Sequence, residues 1–313
     1  MWSPTRWIGR RREPLRVACT SDEGYLPHCA ATLHSVIVSQ PGPVEAHLLA
    51  GPDLTLESEQ RLSDWVESLG AGLTVHRIDD PEERFRGIAP NLSLNSWFRV
   101  LLPELLPDSD KVLYLDSDVI VVDSLEPLLR LDLSGKCIAA VTNPPITLEW
   151  MQAHSAALGL PATDDYFNAG VMLMNLAELR AGNWMDRVIE YGVAHADRHR
   201  DTEIQEDSQR EVFIYTMKYP ERLLFTDQDA LNAVLHEVRL KLHPRWNVQT
   251  LFRRSAVRTE ELTERRVAEA LSDLAIRHFE GPGHSKPWHR AAEFPDDVEL
   301  YTAHRRETPW PAF

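Results

Sequence analysis

Residues 111–128 read "KVLYLDSDVIVVDSLEPL": two apolar, β-prone runs with carboxylates set between them. Asp116 and Asp118 separate "VLYL" from "VIVV", and Asp123 follows. Charges flanked by buried segments cost free energy unless something pairs them. On extended chain, residues i and i+2 point the same way, so both carboxylates can aim at one point. Two facing carboxylates repel, and a divalent cation between them removes the conflict. Oxygen ligands favour a hard ion such as Mg2+ or Mn2+. The competing reading is a turn or a helix cap, the role that Asp123 suits ahead of "SLEPL".

Short apolar runs elsewhere read as strands: "LRVACTS" (15–21), "VEAHLLAG" (44–51) and "GLTVHRID" (72–79). Helical spacing lies between them, in "YLPHCAATLHSVIVSQ" (25–40) and "TLESEQRLSDWVESLG" (55–70), the second with Thr55 as cap and Gly70 as stop. "LNSWFRVLLPELLP" (94–107) reads as helical in its first half. "CIAAVTN" (137–143) and "YFNAGVMLMN" (166–175) read as strands, and "LAELRAGNWMDRVIEYGVAHA" (176–196) as one helix. Then come a short helix from "DQDALNAVLHE" (227–237), one or two strands in "VRLKLHPRWNVQ" (238–249), a helix in 259–273 and a late strand, "LAIRHFEG" (274–281). The remainder, rich in Gly and Pro, reads as loop. This alternation predicts an α/β fold with a Rossmann-like, mostly parallel central sheet flanked by helices. The expected organisation is one domain over 15–290, between a flexible basic tail (1–14) and a C-terminal tail (291–313). The polar run 196–212 is expected as an exposed insertion.

The 313 residues are 43% hydrophobic and 26% charged, with net charge −15. An acidic surface repels phosphate backbones, which argues against nucleic acid as a partner. No apolar run is long enough to span a bilayer. Arg6, Arg10, Arg11 and Arg12, with Trp2 and Trp7, suit either a solvated tail or a weak peripheral contact with an anionic membrane. Cys19, Cys29 and Cys137 form no CxxC pair, consistent with buried thiols in a reducing, cytoplasmic setting.

Two further clusters carry chemistry. "RHFEGPGHSKPWHR" (277–290) joins His278, Gly281, His284 and Lys286. A histidine at a strand end can complete a metal site or serve structure alone. Glycine allows close backbone approach, and lysine suits phosphate. "FTDQDALN" (225–232) sets Asp227, Gln228 and Asp229 at a helix start, where capping is the simpler role.

Taken in order, "VACTSDEGYLPHCAATLHSV", "SWFRVLLPELLPDSDKVLYLDSDVIVVDSLEPL", "YFNAGVMLMNL", "DQDALN" and "HFEGPGHSKPW" resemble glycosyltransferase family 8. That family includes glycogenin and bacterial lipopolysaccharide galactosyl- and glucosyltransferases. The motifs run from about residue 16 to 290 and cover most of the chain. The resemblance implies a GT-A fold, a UDP-sugar donor such as UDP-glucose or UDP-galactose, Mn2+ (or Mg2+), and transfer of a hexose with retention of configuration. It implies Asp116, Asp118 and His278 as metal ligands. Thr20, Asp22 and Tyr25 fall in the loop that holds uracil and ribose. Arg99 and Ser117 are implied as donor contacts, Asn168, Asp227 and Gln228 as the residues around the transferred sugar, and Gly281 and Lys286 as the grip on the diphosphate. Two features depart from the family pattern. The spacing from His278 to Lys286 is longer than usual, with His284 inside it, and Asn143 stands where many bacterial members carry an acid. The acceptor is expected to be a glycan, a lipid-linked sugar or a protein, in keeping with cell-surface polysaccharide synthesis.

Two other functions compete with a transferase. A nucleotidyltransferase also places acids at strand ends, but "CTSDEGYLPH" lacks its basic, Gly-rich loop. A catalytically weak sugar-nucleotide or glycan-binding module would have lost the metal acids, and both are present.

Overall fold

The computed structural model describes residues 13–88, 93–196, 226–281 and 283–311. The basic tail up to residue 12 and the polar run from 197 to 212 lie outside the described residues. Seven strands form the central sheet: β1 Leu15–Ser21, β2 Val44–Ala50, β3 Gly72–Arg77, β4 Lys111–Leu115, β6 Ile138–Thr142, β7 Phe167–Asn175 and β8 Arg239–Lys241. Their order is β3-β2-β1-β4-β7-β6-β8. The pairs β1–β2, β2–β3, β1–β4 and β6–β8 are parallel; β7 alone runs against its neighbours β4 and β6. A smaller sheet joins β5 Val119–Val121, β9 Val248–Gln249 and β10 Ile276–His278, in the order β5-β10-β9.

Alternation along the central strands divides the apolar residues between two cores, one on each face. Val17, Leu113, Leu115, Val171 and Leu173 pack with the helix Leu26–Ser39. Ala18, Val112, Tyr114, Met172 and Met174 pack with the helices Trp184–Ala194 and Thr226–Leu235. Burial on both faces explains why these strands read as near-continuous apolar runs.

Local signals place several boundaries. Thr55 caps the helix Leu56–Ser68 by accepting from Ser58 N, and Gly70 takes φ +78° just past its end. The stretch 94–107 begins as a 3-10 helix, Leu94–Leu101, and turns α-helical over Leu102–Leu105. The expected helix over 176–196 is two helices, Leu176–Ala181 and Trp184–Ala194. The break falls at Gly182 and Asn183; Asn183 is left-handed, and a Cβ on Gly182 would meet the Trp184 ring at 2.2 Å. The helix expected over 259–273 starts later, at Glu264, behind the cap Thr263.

Residues 295–305, expected within a loop-like C-terminal tail, form a helix, Pro295–Arg305. Pro295 opens it, acids fill its first turn, and His304 and Arg305 close it, as the helix dipole favours. It docks beside the helix Leu26–Ser39, where Tyr301 Oη lies 2.6 Å from His28 Nδ1. Asp297 reaches under β10 and takes a buried bidentate ion pair from Arg277.

Candidate functional site

The carboxyl end of β4 meets the start of β7 and the end of β10 at one point. Antiparallel pairing brings Asp116 N to Gly170 O at 2.8 Å. The β5–β10 pairing sets His278 opposite Val119, and Phe279 N bonds Asp118 O at 3.0 Å. His278 Nε2 thereby comes 3.3 Å from Asp118 Oδ1 and 3.8 Å from Asp116 Oδ2. These three side chains offer ligand atoms within 4.8 Å of one another, the one such group among the described residues.

Two carboxylates and an imidazole suit Mn2+ or Mg2+. The cradle also fits an ion: a Cβ on Gly170 would lie 2.3 Å from His278 Cε1 and 2.6 Å from Asp116 Oδ2. The imidazole is oriented from behind. Asn247 gives Nδ2 to Asn168 Oδ1 at 2.8 Å, so its Oδ1 faces His278 Nδ1 at 3.0 Å. The Nδ1 proton is held there, and Nε2 is the ring atom turned toward the acids.

Cations balance the carboxylates. Lys286 Nζ donates to Asp118 Oδ2. Burial alone would raise the Asp118 pKa, but Lys286 and then His278 outweigh it and hold the carboxyl well below its ordinary range. Burial likewise opposes charge on His278 and Lys286, and the Asp118 carboxylate reverses this, so both pKa values rise. Arg99, 6% exposed, lies between Asp116 (3.2 Å) and Asp227 (3.1 Å) and donates to Ala169 O at 2.7 Å. Burial raises the Asp227 pKa, and Arg99 offsets this only in part. Tyr114 Oη donates to Asp116 Oδ1 at 2.8 Å.

Thr20, at the end of β1, contacts Tyr114 Oη at 3.0 Å, and its carbonyl accepts from Ser117 Oγ at 2.6 Å. Asp22 Oδ1 accepts from Tyr25 N at 2.7 Å, ordering the turn rather than meeting the acids. The Tyr25 ring meets Trp288 edge-on, and burial, then the Asp118 charge, pushes its phenol up to about 12. Gly281 has φ +88°, a left-handed turn just after β10 that favours glycine. Gln228 Oε1 accepts from Ala169 N at 2.9 Å and lies 3.3 Å from Asn168 Nδ2. Asn168 Nδ2 is also 3.4 Å from Asn143 Oδ1. His284 is exposed and faces Glu293 at 3.8 Å, apart from the acid pair. Asp123 accepts from Ser124 N at 2.7 Å and pairs with Arg245, a turn role.

Sequence reasoning missed Gly170, Tyr114 and Asn247. Gly170 stood in the quoted "FNAGVMLMN", and a glycine inside an apolar strand is a signal of close approach. Tyr114 and Asn247 carried no local signal.

Residues 16–292 match the family model described as glycosyl transferase family 8. The chain is 24% identical over 300 residues to a lipopolysaccharide 1,3-galactosyltransferase of Salmonella typhimurium, covering 95% of this chain and 80% of that one. It is 26% identical over 304 residues to a lipopolysaccharide 1,2-glucosyltransferase of Escherichia coli, covering 95% and 79%. General stress protein A of Bacillus subtilis is 23% identical over 297 residues, 93% of each chain. Among solved structures, the galactosyltransferase LgtC in complex with donor and acceptor sugar analogs aligns with TM-score 0.69 at 23% identity, over 95% of this chain and 98% of that one. An active-site mutant of LgtC gives TM-score 0.71 at 22% identity, with the same coverage. The structural likeness shows the GT-A fold, and the family match over most of its length places the chain in glycosyl transferase family 8.

Proposed function

We propose that this glycosyltransferase is metal-dependent and retaining, and that it moves glucose or galactose from a UDP-sugar to an acceptor hydroxyl. The observation that carries this reading is the convergence of Asp116, Asp118 and His278 around the gap left by Gly170, with Lys286 alongside. The relatives' activities, galactosyl and glucosyl transfer, support the sugar class. The acceptor class is a glycan, a lipid-linked sugar or a protein.

Asp116, Asp118 and His278 would hold Mn2+ or Mg2+, which as a Lewis acid supplies positive charge to the diphosphate as it leaves. Lys286 adds a second cation there, since its ammonium can shift from Asp118 to a phosphate oxygen. Thr20, Asp22, Tyr25 and Ser117 gather where β1 ends, next to Asp116 and Asp118, and would receive uracil and ribose. Arg99 braces Asp116 and Asp227 at once, fixing both carboxylates beside the sugar. Breaking the anomeric bond builds oxocarbenium character. Gln228 is a poor nucleophile, so attack from the leaving group's own face is favoured: the Gln228 carbonyl oxygen faces the positive charge and the departing phosphate takes the acceptor proton. Double displacement would need a nucleophile, and Asp227 is the carboxylate of that motif; Arg99 against it argues for a bracing role.

The test is UDP release from UDP-glucose and UDP-galactose, with and without Mn2+. Metal-dependent turnover that Asp118→Ala abolishes is expected. Tight UDP-sugar binding with no turnover for any acceptor would replace the transferase with a binding module.

A further inference from the structure

Behind Gln228 lies a polar chain that joins Asp229 and Tyr166, each inside a quoted motif, to His154, which no motif marks. Asp229, Tyr166 and His154 are all fully buried. Asp229 Oδ1 accepts from Tyr166 Oη at 2.6 Å and lies 2.9 Å from His154 Nε2. Tyr166 Oη lies 2.9 Å from Gln228 Nε2. An ionised carboxylate can only accept, so the single phenol proton must point to Asp229. Burial, and then the Asp229 charge, keeps that proton on Tyr166 by raising its pKa well above the ordinary value. The Tyr166 oxygen is left as an acceptor, and only the NH2 end of Gln228 satisfies it. At the other end, the Ala169 backbone N–H, which cannot reverse, takes Oε1.

We propose that His154, Asp229 and Tyr166 act as a positioning relay: they fix which end of the Gln228 amide faces Asn168 and the sugar side, and they polarise it. The N–H···O–H···O⁻ sequence is one in which each bond strengthens the next, drawing electron density toward Oε1. His154 supplies the second donor that holds the carboxylate toward Tyr166. Asp229 thus serves Gln228 from behind rather than meeting substrate. The catalytic consequence rests on the reading of Gln228 as the residue flanking the transferred sugar; the wiring itself does not.

The test uses the full chain and two readouts. The first is the Gln228 side-chain NH2 resonance by NMR, assigned through its loss in Gln228→Glu. In Tyr166→Phe and Asp229→Asn its protons should shift upfield, as a donor whose partner is lost or weakened does, and the Ala169 N–H resonance, which reports the polarised Oε1, should shift upfield with them. The second is donor turnover. Tyr166→Phe should lower kcat by roughly tenfold with donor KM within about twofold. His154→Ala should lower kcat similarly, and His154→Gln, which keeps an N–H donor, should recover most of the loss. An unmoved NH2 resonance overturns the relay. So does a wild-type kcat in Tyr166→Phe, or an equal loss in His154→Ala and His154→Gln. If the native chain turns over no UDP-sugar, the transferase reading fails, and the resonance shift alone decides the wiring.

Discussion

Gly170 faces His278 so closely that position 170 has no room for a side chain: a Cβ there would lie 2.3 Å from the His278 ring and 3.0 Å from Asn168 Oδ1. Its φ is not among the positive ones, so the backbone does not demand glycine; the space between His278 and Asp116 does. Gly170→Ala should therefore weaken Mn2+ binding by about tenfold or more, the scale seen when metal-ligand support is disturbed. Overpacking adds about 1–3 kcal/mol of destabilisation, which leaves the chain folded. Electron paramagnetic resonance titration of free Mn2+, with a thermal melt as control, checks both. Wild-type affinity in the alanine variant would refute the cradle.

Lys286 and the divalent ion proposed for this cluster would share Asp118. Without donor, the ammonium occupies one carboxylate oxygen and opposes a second cation nearby. Lys286→Met should then bind Mn2+ about three- to tenfold more tightly in the absence of UDP-sugar, a modest fraction of the Coulomb energy between adjacent charges. The same variant should turn over donor about a hundredfold more slowly, because a cation at the leaving diphosphate is gone. Calorimetric Mn2+ titration and UDP release measure the two effects. Weaker ion binding in the methionine variant would mean that Lys286 supports the cluster rather than competing with it.

Much of the fold was legible because its signals are local. Buried parallel strands announce themselves as apolar runs, and Thr55 and Gly70 bracket a helix whatever packs on it. Asp116 and Asp118 were visible as charges at a strand end. What put His278 beside them is the pairing of β10 with β5, across more than 150 residues, and no periodicity reports such a register. Asn247 shows the limit clearly: it is an ordinary "WNVQ" asparagine until β9 sets it behind His278. The helix Pro295–Arg305 was missed for a different reason. Its capping signals were present, but its inward residues include Asp297 and Arg305, which are polar, so the apolar stripe is thin. Those polar residues are buried because Arg277 and the chain end around Thr308 and Trp310 receive them.

The Arg277–Asp297 pair ties that helix to the strand carrying His278. Arg277 is 2% and Asp297 4% exposed, and Arg277 also donates to Val248 O at 2.8 Å. Asp297→Ala would leave the guanidinium buried without its carboxylate, at about 3–5 kcal/mol. Urea unfolding should show that loss. Mn2+ affinity should fall with it, since β10 positions the imidazole. A loss below about 1 kcal/mol, the range of an exposed pair, would show that the helix is not coupled to the site.

Acid should loosen the same region through His28. The ring is 6% exposed, stacks on Trp288 at 3.8 Å between centroids and meets Tyr301 Oη. Burial, with Arg305 second, depresses its pKa to about 4, against about 6.5 in an unfolded chain. A depressed histidine is protonated first in the unfolded chain, so its contribution to stability is complete above about pH 6.5 and drains away as pH falls toward 4. Within that window this residue contributes a slope of about 1.4 kcal/mol per pH unit, on the order of 3 kcal/mol in all. His28→Gln cannot titrate, so urea unfolding at pH 7.5, 6.0 and 5.0 should show a shallower acid decline than in the native chain. Because Trp288 lies two residues from Lys286, the native chain should also lose donor affinity over that window, and the glutamine variant should lose less. Parallel stability curves for the two proteins between pH 6.5 and 4.5 would remove His28 as the source of the acid sensitivity.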